Sequence, residues 1–237
     1  MATAVVLASI VLATAYTQRY RSMTGTITVT GLGETEFMSD MIVIEGSIEN
    51  ENYDAAEGYR GLEEARNMVI NFLVSKGVAR EAITFNMPNT YELTTSIYED
   101  GKYVGSRFTG YNLTQSFTIE STDVDAVESA ARELPSLLAQ GIDISVKNPM
   151  YYYSKLESVK HDLIAAAAAD AHERATQIAI NSGAELGNLS MSRAGVFQIT
   201  AATGDEEFSA GGAFNLSSRE KKARVTVRAE YKIDNHN

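Results

Sequence analysis

The sequence predicts an α+β protein: antiparallel sheets with three main helices packed on them, preceded by an apolar helix at the N-terminus. Three observations carry this. Segments such as Thr26 to Thr30 and Arg224 to Ile233 alternate with the two-residue period of strands. Three longer stretches have helical period and end at cap residues. Strand segments also come in neighbouring pairs, as in antiparallel sheets with helices on one face.

The elements follow in order. Thr26 to Thr30 is a strand, and so is Ile42 to Ile48, with Ile42, Ile44 and Ile48 on one face. A helix runs from about Asp54 to Lys76, capped by Asp54-x-x-Glu57 and stopped by Gly77. Ile83 to Tyr98 and Tyr103 to Glu120 are long strands, joined by a tight turn around Asp100-Gly101. Thr122-Asp123 caps a helix from about Val124 to Gln140, closed by Gly141. Ile142 to Tyr153 is a strand interrupted by Pro149, which suits an edge or bulge. The long run Leu156 to Gly183 then places Leu156, Val159, Leu163, Ile164, Ala167, Ala171, Ala175, Ile178 and Ala179 on one stripe. Ser154-x-x-Glu157 supplies a capping box there, and Gly183 a stop. Because the stripe is mostly alanine, whatever packs on it comes close to the helix backbone.

Strands near Leu189 to Thr200 and Arg224 to Ile233 complete the order β-β-α-β-β-α-β-α-β-β. The last places Val225, Val227, Ala229, Tyr231 and Ile233 on one face and charged residues on the other, as in a half-solvated strand. Between them Thr203 to Ser218 is Gly-, Ser- and acid-rich, with Phe208 and Phe214 stranded in it.

Residues 1–16, MATAVVLASIVLATAY, carry no charge, and Arg19 and Arg21 follow. As a helix the segment is about 24 Å long, marginal against a membrane core of about 30 Å. Its core, Val5, Val6, Leu7, Ile10, Val11 and Leu12, reads as a membrane anchor. Ala13-Thr14-Ala15 resembles a signal cleavage site, but no basic residue precedes the apolar run. We read residues 1–21 as an uncleaved anchor or a helix ordered inside an assembly, with an ordinary buried N-terminal helix as the alternative. Residues 22–237 form the α+β region, as one unit or as two near 22–140 and 141–237. By the positive-inside rule, Arg19 and Arg21 are a weak vote for a cytoplasmic position.

Composition excludes several functions. A net charge of -11 opposes phosphate neutralisation, so no nucleic-acid partner is expected. With 0 cysteines, disulfides, thiol catalysis and Cys-ligated metals are excluded. Gly31-x-Gly33 lacks the third glycine of a dinucleotide loop and is followed by Glu34 and Glu36; close packing explains it better. His161 and His172 lie about 16 Å apart on one helix, too far for one metal. Asp205-Glu206-Glu207 reads as a solvated acidic loop. Tyr151-Tyr152-Tyr153 is either an aromatic contact surface or a strand with tyrosines on both faces. No catalytic, cofactor-binding or metal-binding residues are expected.

Several stretches, in order, resemble one family. They are Thr28-Val29-Thr30-Gly31-Leu32-Gly33-Glu34, Ala65 through Leu73 to Gly77-Val78, and Gly110-Tyr111-Asn112. Asn148-Pro149-Met150-Tyr151-Tyr152-Tyr153, Ala169-Asp170-Ala171, Arg174-Ala175, Leu186-Gly187 and Gly195 to Ile199 continue the series. Over roughly 26–234 the chain resembles the SIMPL-domain family of bacterial cell-envelope proteins. The resemblance implies an α+β fold outside a cytoplasmic membrane, a tendency to homo-oligomerise, no established catalytic residues, and loosely defined roles such as oxidative-stress defence.

The expectation is therefore an inner-membrane-anchored, periplasm-facing structural or interaction protein without catalytic activity. Its partners would be the membrane and copies of itself, with Phe208 and Phe214 as contacts between copies. The alternatives are a hydrolase-like enzyme with an unrecognised site, and a small-molecule or peptide binding module with an apolar cleft beside the tyrosine run.

Overall fold

The computed structural model describes residues 25–203 and 209–234. The expected N-terminal helix, its anchor residues Val5, Val6, Leu7, Ile10, Val11 and Leu12, and Phe208 lie outside the described residues.

The α+β architecture is observed, with two sheets. The first holds β2 (Met41–Asn52), β3 (Ile83–Phe85), β4 (Asn89–Glu99), β5 (Lys102–Ser121), β6 (Asp143–Val146) and β7 (Met150–Tyr152). Its centre is the antiparallel β2–β5 ladder, from Ile42↔Ser121 to Asn52↔Tyr111. Helices α1 (Ala55–Ser75) and α2 (Val124–Glu133) cover its apolar face. Ile42, Ile44 and Ile48 meet Leu62, Val69 and Leu73 of α1 and Val127 of α2 in one buried cluster.

The second sheet holds β1 (Thr26–Met38), β8 (Glu185–Ala194), β9 (Gln198–Ala201), β10 (Ala213–Phe214) and β11 (Glu220–Asp234). β11 is central and pairs with β1 along its length, from Thr26↔Lys232 to Met38↔Glu220. Only the β9–β10 pair is parallel among the described strands. Val225, Val227, Ala229 and Tyr231 are buried, while on the other face Lys222 and Arg224 pair with Glu34. This is the half-solvated alternation expected from sequence. The chain passes between the sheets at Ser39-Asp40 and again at 153–155, so β1 joins the C-terminal elements in one sheet.

Helix α3 (Leu156–Asn181) lies on the second sheet with Leu163, Ala167, Ala171, Ala175 and Ala179 buried. Every fourth residue faces inward, a single narrow row. Ile164 and Ile178, placed on the stripe from sequence, are exposed. The row is narrow because the helix sits on glycine. A Cβ on Gly31 would lie 2.8 Å from Ala171 Cβ and closer still to the Ala167 carbonyl oxygen. One on Gly33 would lie 3.1 Å from Ala167 N and closer to the Leu163 carbonyl oxygen. The close-packing explanation of Gly31-x-Gly33 is the observed one.

Caps agree in part with sequence. Asp54 accepts from the amides of Ala56 and Glu57, and Asp123 from Ala126. Gly77, Gly141 and Gly183 all have positive φ after helical segments. Three expectations are corrected. The helix drawn over 124–140 becomes a 3₁₀ turn at Leu134–Gln140, because Pro135 lacks the N–H an α-helix needs. The strand drawn over 189–200 breaks into β8 and β9 around Gly195. The capping box before α3 is not made: Ser154 donates to Asp40 instead, and Glu157 pairs with Lys160.

Since backbone cannot yield as a flexible side chain does, Ala167→Leu, Ala171→Leu and Gly31→Ala are each expected to destabilise by about 1–3 kcal/mol. That lowers the melting temperature by roughly 2–4 °C per kcal/mol. Ala168→Leu, on the exposed side of α3, should leave it unchanged. Calorimetry on the four variants checks this; unchanged melting in both buried alanine variants would show that the face is open.

Candidate functional site

Two features stand out from the body of the fold. The first is an arm. β4 and β5 stay paired from Asn89↔Thr114 out to Glu99↔Lys102, whereas β2 ends opposite Tyr111. Beyond that level, residues 93–110 form a two-stranded ribbon that no other described strand joins. The Asp-Gly turn behaves as sequence predicts, with positive φ at both Asp100 (48°) and Gly101 (76°). What sequence did not reveal is that both faces of the ribbon are in water. Ile97, Tyr98, Tyr103 and Val104 are all exposed, as is Tyr91 just below the ribbon, and Tyr98 and Tyr103 meet edge-to-face at 5.9 Å. At the arm's base Phe108 packs between Tyr53 and Tyr111. A lone two-stranded hairpin is at best marginally stable in water. The available signal was weak: Thr94, Thr95 and Ser96 interrupt the apolar alternation of β4.

The second is the junction between the sheets. Asp40 Oδ1 and Oδ2 accept from Ser154 N at 2.8 Å and Ser154 Oγ at 2.6 Å. Ser39 N donates to the Arg219 carbonyl at 2.9 Å, and Tyr151 N to the Leu216 carbonyl at 2.8 Å. The Arg219 guanidinium reaches Asp125 and, at 3.8 Å, Glu128 on α2. The rings of Phe37 and Tyr153 meet at 4.7 Å with their planes tilted by 44°. The two crossing segments are thus tied to each other and to the segment that leads into β11. Arg219's hydrogen bond holds the Asp125 carboxyl below its usual range. Burial pushes Asp40 up, but the two bonds from Ser154, together with a backbone hydrogen bond of its own and the charge of Lys155, leave it lowered. Burial, with Glu128 beside it, raises the Tyr151 hydroxyl.

The other residues singled out from sequence are scattered. Phe214 sits in β10, about half exposed, next to a loop pinned from below. Buried Lys221 donates to the carbonyls of Asn215 and Ser218, both at 2.6 Å, and Gln198 holds Ser209. Tyr151 is buried and Tyr153 packs on Phe37, so the tyrosine run serves packing on both faces. His161 and His172 are both exposed on α3, and the ring of His172 lies against Tyr231. Among the described residues no cluster of three His, Asp or Glu could hold a metal ion. An apolar groove of about 510 Å³ lies on the second sheet, lined by Leu32, Val196, Gln198, Arg224 and Thr226. None of the three tyrosines lines it, and Arg224 is engaged by Glu34. No described helix is long and apolar enough to cross a membrane.

A family model described as "SIMPL: Protein of unknown function (DUF541)" matches residues 27–231, so both sheets, the arm and the junction fall within it. The chain belongs to the SIMPL family. No curated protein matches it. Within the SIMPL region, β1 with its two glycines opens the match and β11 closes it.

The junction should respond to acid. Carboxyls lowered in the folded state stabilise fully above the ordinary range near 4, and that stabilisation is lost as pH falls through their lower folded values. Asp40→Asn is expected to be less stable than the parent at pH 6 by about 1 kcal/mol. In urea titrations the gap should narrow as the pH falls below the ordinary carboxylate range, as the parent carboxylate takes up its proton. A gap that keeps its size over that fall would show that charge at Asp40 is not what ties the linkers.

Proposed function

We propose that this protein is a membrane-anchored, envelope-facing structural and interaction protein. It works by assembling with copies of itself in the periplasm, without catalysis, in a setting of envelope or oxidative stress. The observation that carries the reading is the arm. A chain that keeps a two-stranded ribbon with four large exposed apolar side chains, Ile97, Tyr98, Tyr103 and Val104, and a fifth, Tyr91, just below it, holds surface ready for burial against a partner. Monomers normally avoid long free strand edges of this kind. Membership of the SIMPL family supports the envelope setting through the location and self-association that the resemblance implies. The uncharged run 1–16 supports the anchor, and its Ala2, Ala4, Ala8, Ser9, Ala13 and Ala15 allow close approach of helices within a membrane. Phe214, half exposed beside its pinned loop, is a second candidate contact.

Two measurements on the intact chain test this. Membranes from expressing cells are washed with high salt and carbonate, beside a variant that begins at Ser22. The full chain should stay in the pellet and the truncated one should be released; equal release removes the anchor. Light scattering of the detergent-extracted particle should then give a multiple of 25.8 kDa. A monomer mass removes assembly.

A further inference from the structure

The arm has two free edges, and they differ. Along the arm the outer edge of β4 carries Glu99, with Glu92 just below it at the level of Tyr111; the outer edge of β5 over residues 102–109 carries Lys102 and Arg107. Natural edge strands are usually guarded by lysine, proline or inward-pointing charge. Tyr91 to Tyr98 has none of these: it is rich in Tyr, Thr and Ile, with one charge and no proline or glycine. Such a segment favours strand addition. The arm is also bent by design of its backbone. Register shifts between Leu93 and Thr94 and between Ile97 and Tyr98 leave Thr109 and Val104 unopposed on β5. Each bulged residue is followed by a glycine, Gly110 (φ 146°) and Gly105 (φ 151°), in a conformation other residues rarely adopt. Paired bulges and glycines are the devices that curve sheets until they close.

We propose that the two edges are complementary halves of one interface between copies of this chain. The outer edge of β4 in one copy adds antiparallel to the outer edge of β5 in the next, and repetition about a rotation axis closes the arms into a ring. The proposal rests on the assembly reading above and names the surface that performs it. The orientation follows from the hairpin: when arms stand side by side about an axis, every β4 runs opposite to every neighbouring β5. The charges then meet with opposite sign, Glu99 of one arm standing at the level of Lys102 of the next. A two-fold pairing of β4 with β4 would instead bring Glu92 and Glu99 against the same acidic edge. The interface is heterologous, so it propagates until curvature closes it. Backbone hydrogen bonds supply the affinity and the exposed tyrosines of adjoining arms supply the apolar contact. The acidic and basic edges fix direction.

The absence of cysteine makes the test clean. Two differently tagged full-length chains are co-expressed and extracted in detergent. One carries Thr94→Cys, Thr95→Cys or Ser96→Cys in β4; the other carries Tyr103→Cys, Ser106→Cys or Arg107→Cys in β5. Oxidation should give a disulfide-linked dimer bearing both tags in at least one β4/β5 combination. Its yield should stand several-fold above that from any single variant alone. All six positions are at the surface, so loss of the fold is not the concern. Dimers formed by a β4 variant with itself would overturn the proposal in favour of two-fold pairing. A multimeric particle with no dimer in any combination would overturn the arm interface and leave assembly standing. A monomeric particle would overturn both.

Discussion

The approach of one helix backbone to one strand backbone constrains the rest of this fold. At Gly31 and Gly33 no side chain separates β1 from α3, and the helix answers with Ala167 and Ala171. Glycine weakens a strand by itself. Here the loss is offset by thirteen consecutive register partners on β11. The Leu32 amide also donates to Asp170 Oδ2 at 2.7 Å, and that carboxylate is held in turn by Arg174 at 2.9 Å. The hydrogen bonds from Arg174 and from the Leu32 amide keep Asp170 ionised to lower pH than usual. One contact therefore sets the depth of α3 and the path of β1, and through β1 the point where the chain leaves for the other sheet.

Rigidity is distributed unevenly as a result. Two sheet-and-helix units, one apolar cluster in the first and two in the second, are joined by crossing segments that hydrogen-bond to one another through Asp40 and Ser154 and to Arg219 ahead of β11. The arm has no layer beneath it. Its stability depends on one ladder, a favourable turn and the aromatic contacts of Tyr53, Phe108 and Tyr111 at its base. An element so poor in buried area is where exchange of water for a partner gains most. The body holds the arm in a fixed direction, as assembly by the arm requires.

Much of the fold was legible because its signals are local. Asp54, Asp123, Gly77 and Gly183 mark helix ends through their own backbone chemistry, and β11 declares its faces by alternation. The alanine stripe even announced a close neighbour. What was hidden depends on long-range partners. Ser154 had the right spacing for a capping box, but Asp40, 114 residues away, takes its hydroxyl. Sheet membership changes at 39–40 and 153–155, not near 140, because β1 pairs with the far end of the chain. Pro135 ends the second α-helix at Glu133, although the apolar period of 124–140 continues past it. The arm's strands are legible from their alternation, yet nothing local says that β2 stops at Asn52 and leaves them bare. Tyrosines in strands usually have a core to face.

Amide hydrogen exchange on the intact detergent-extracted particle tests the central claim most directly. In an isolated antiparallel pair the amides that point outward have no partner and exchange with water quickly. Edge pairing between copies predicts that the arm's outward amides, over residues 93–99 and 102–109, are slowed to the rates of the β2–β5 ladder. Fast exchange of those amides in a particle that is multimeric by mass would contradict it.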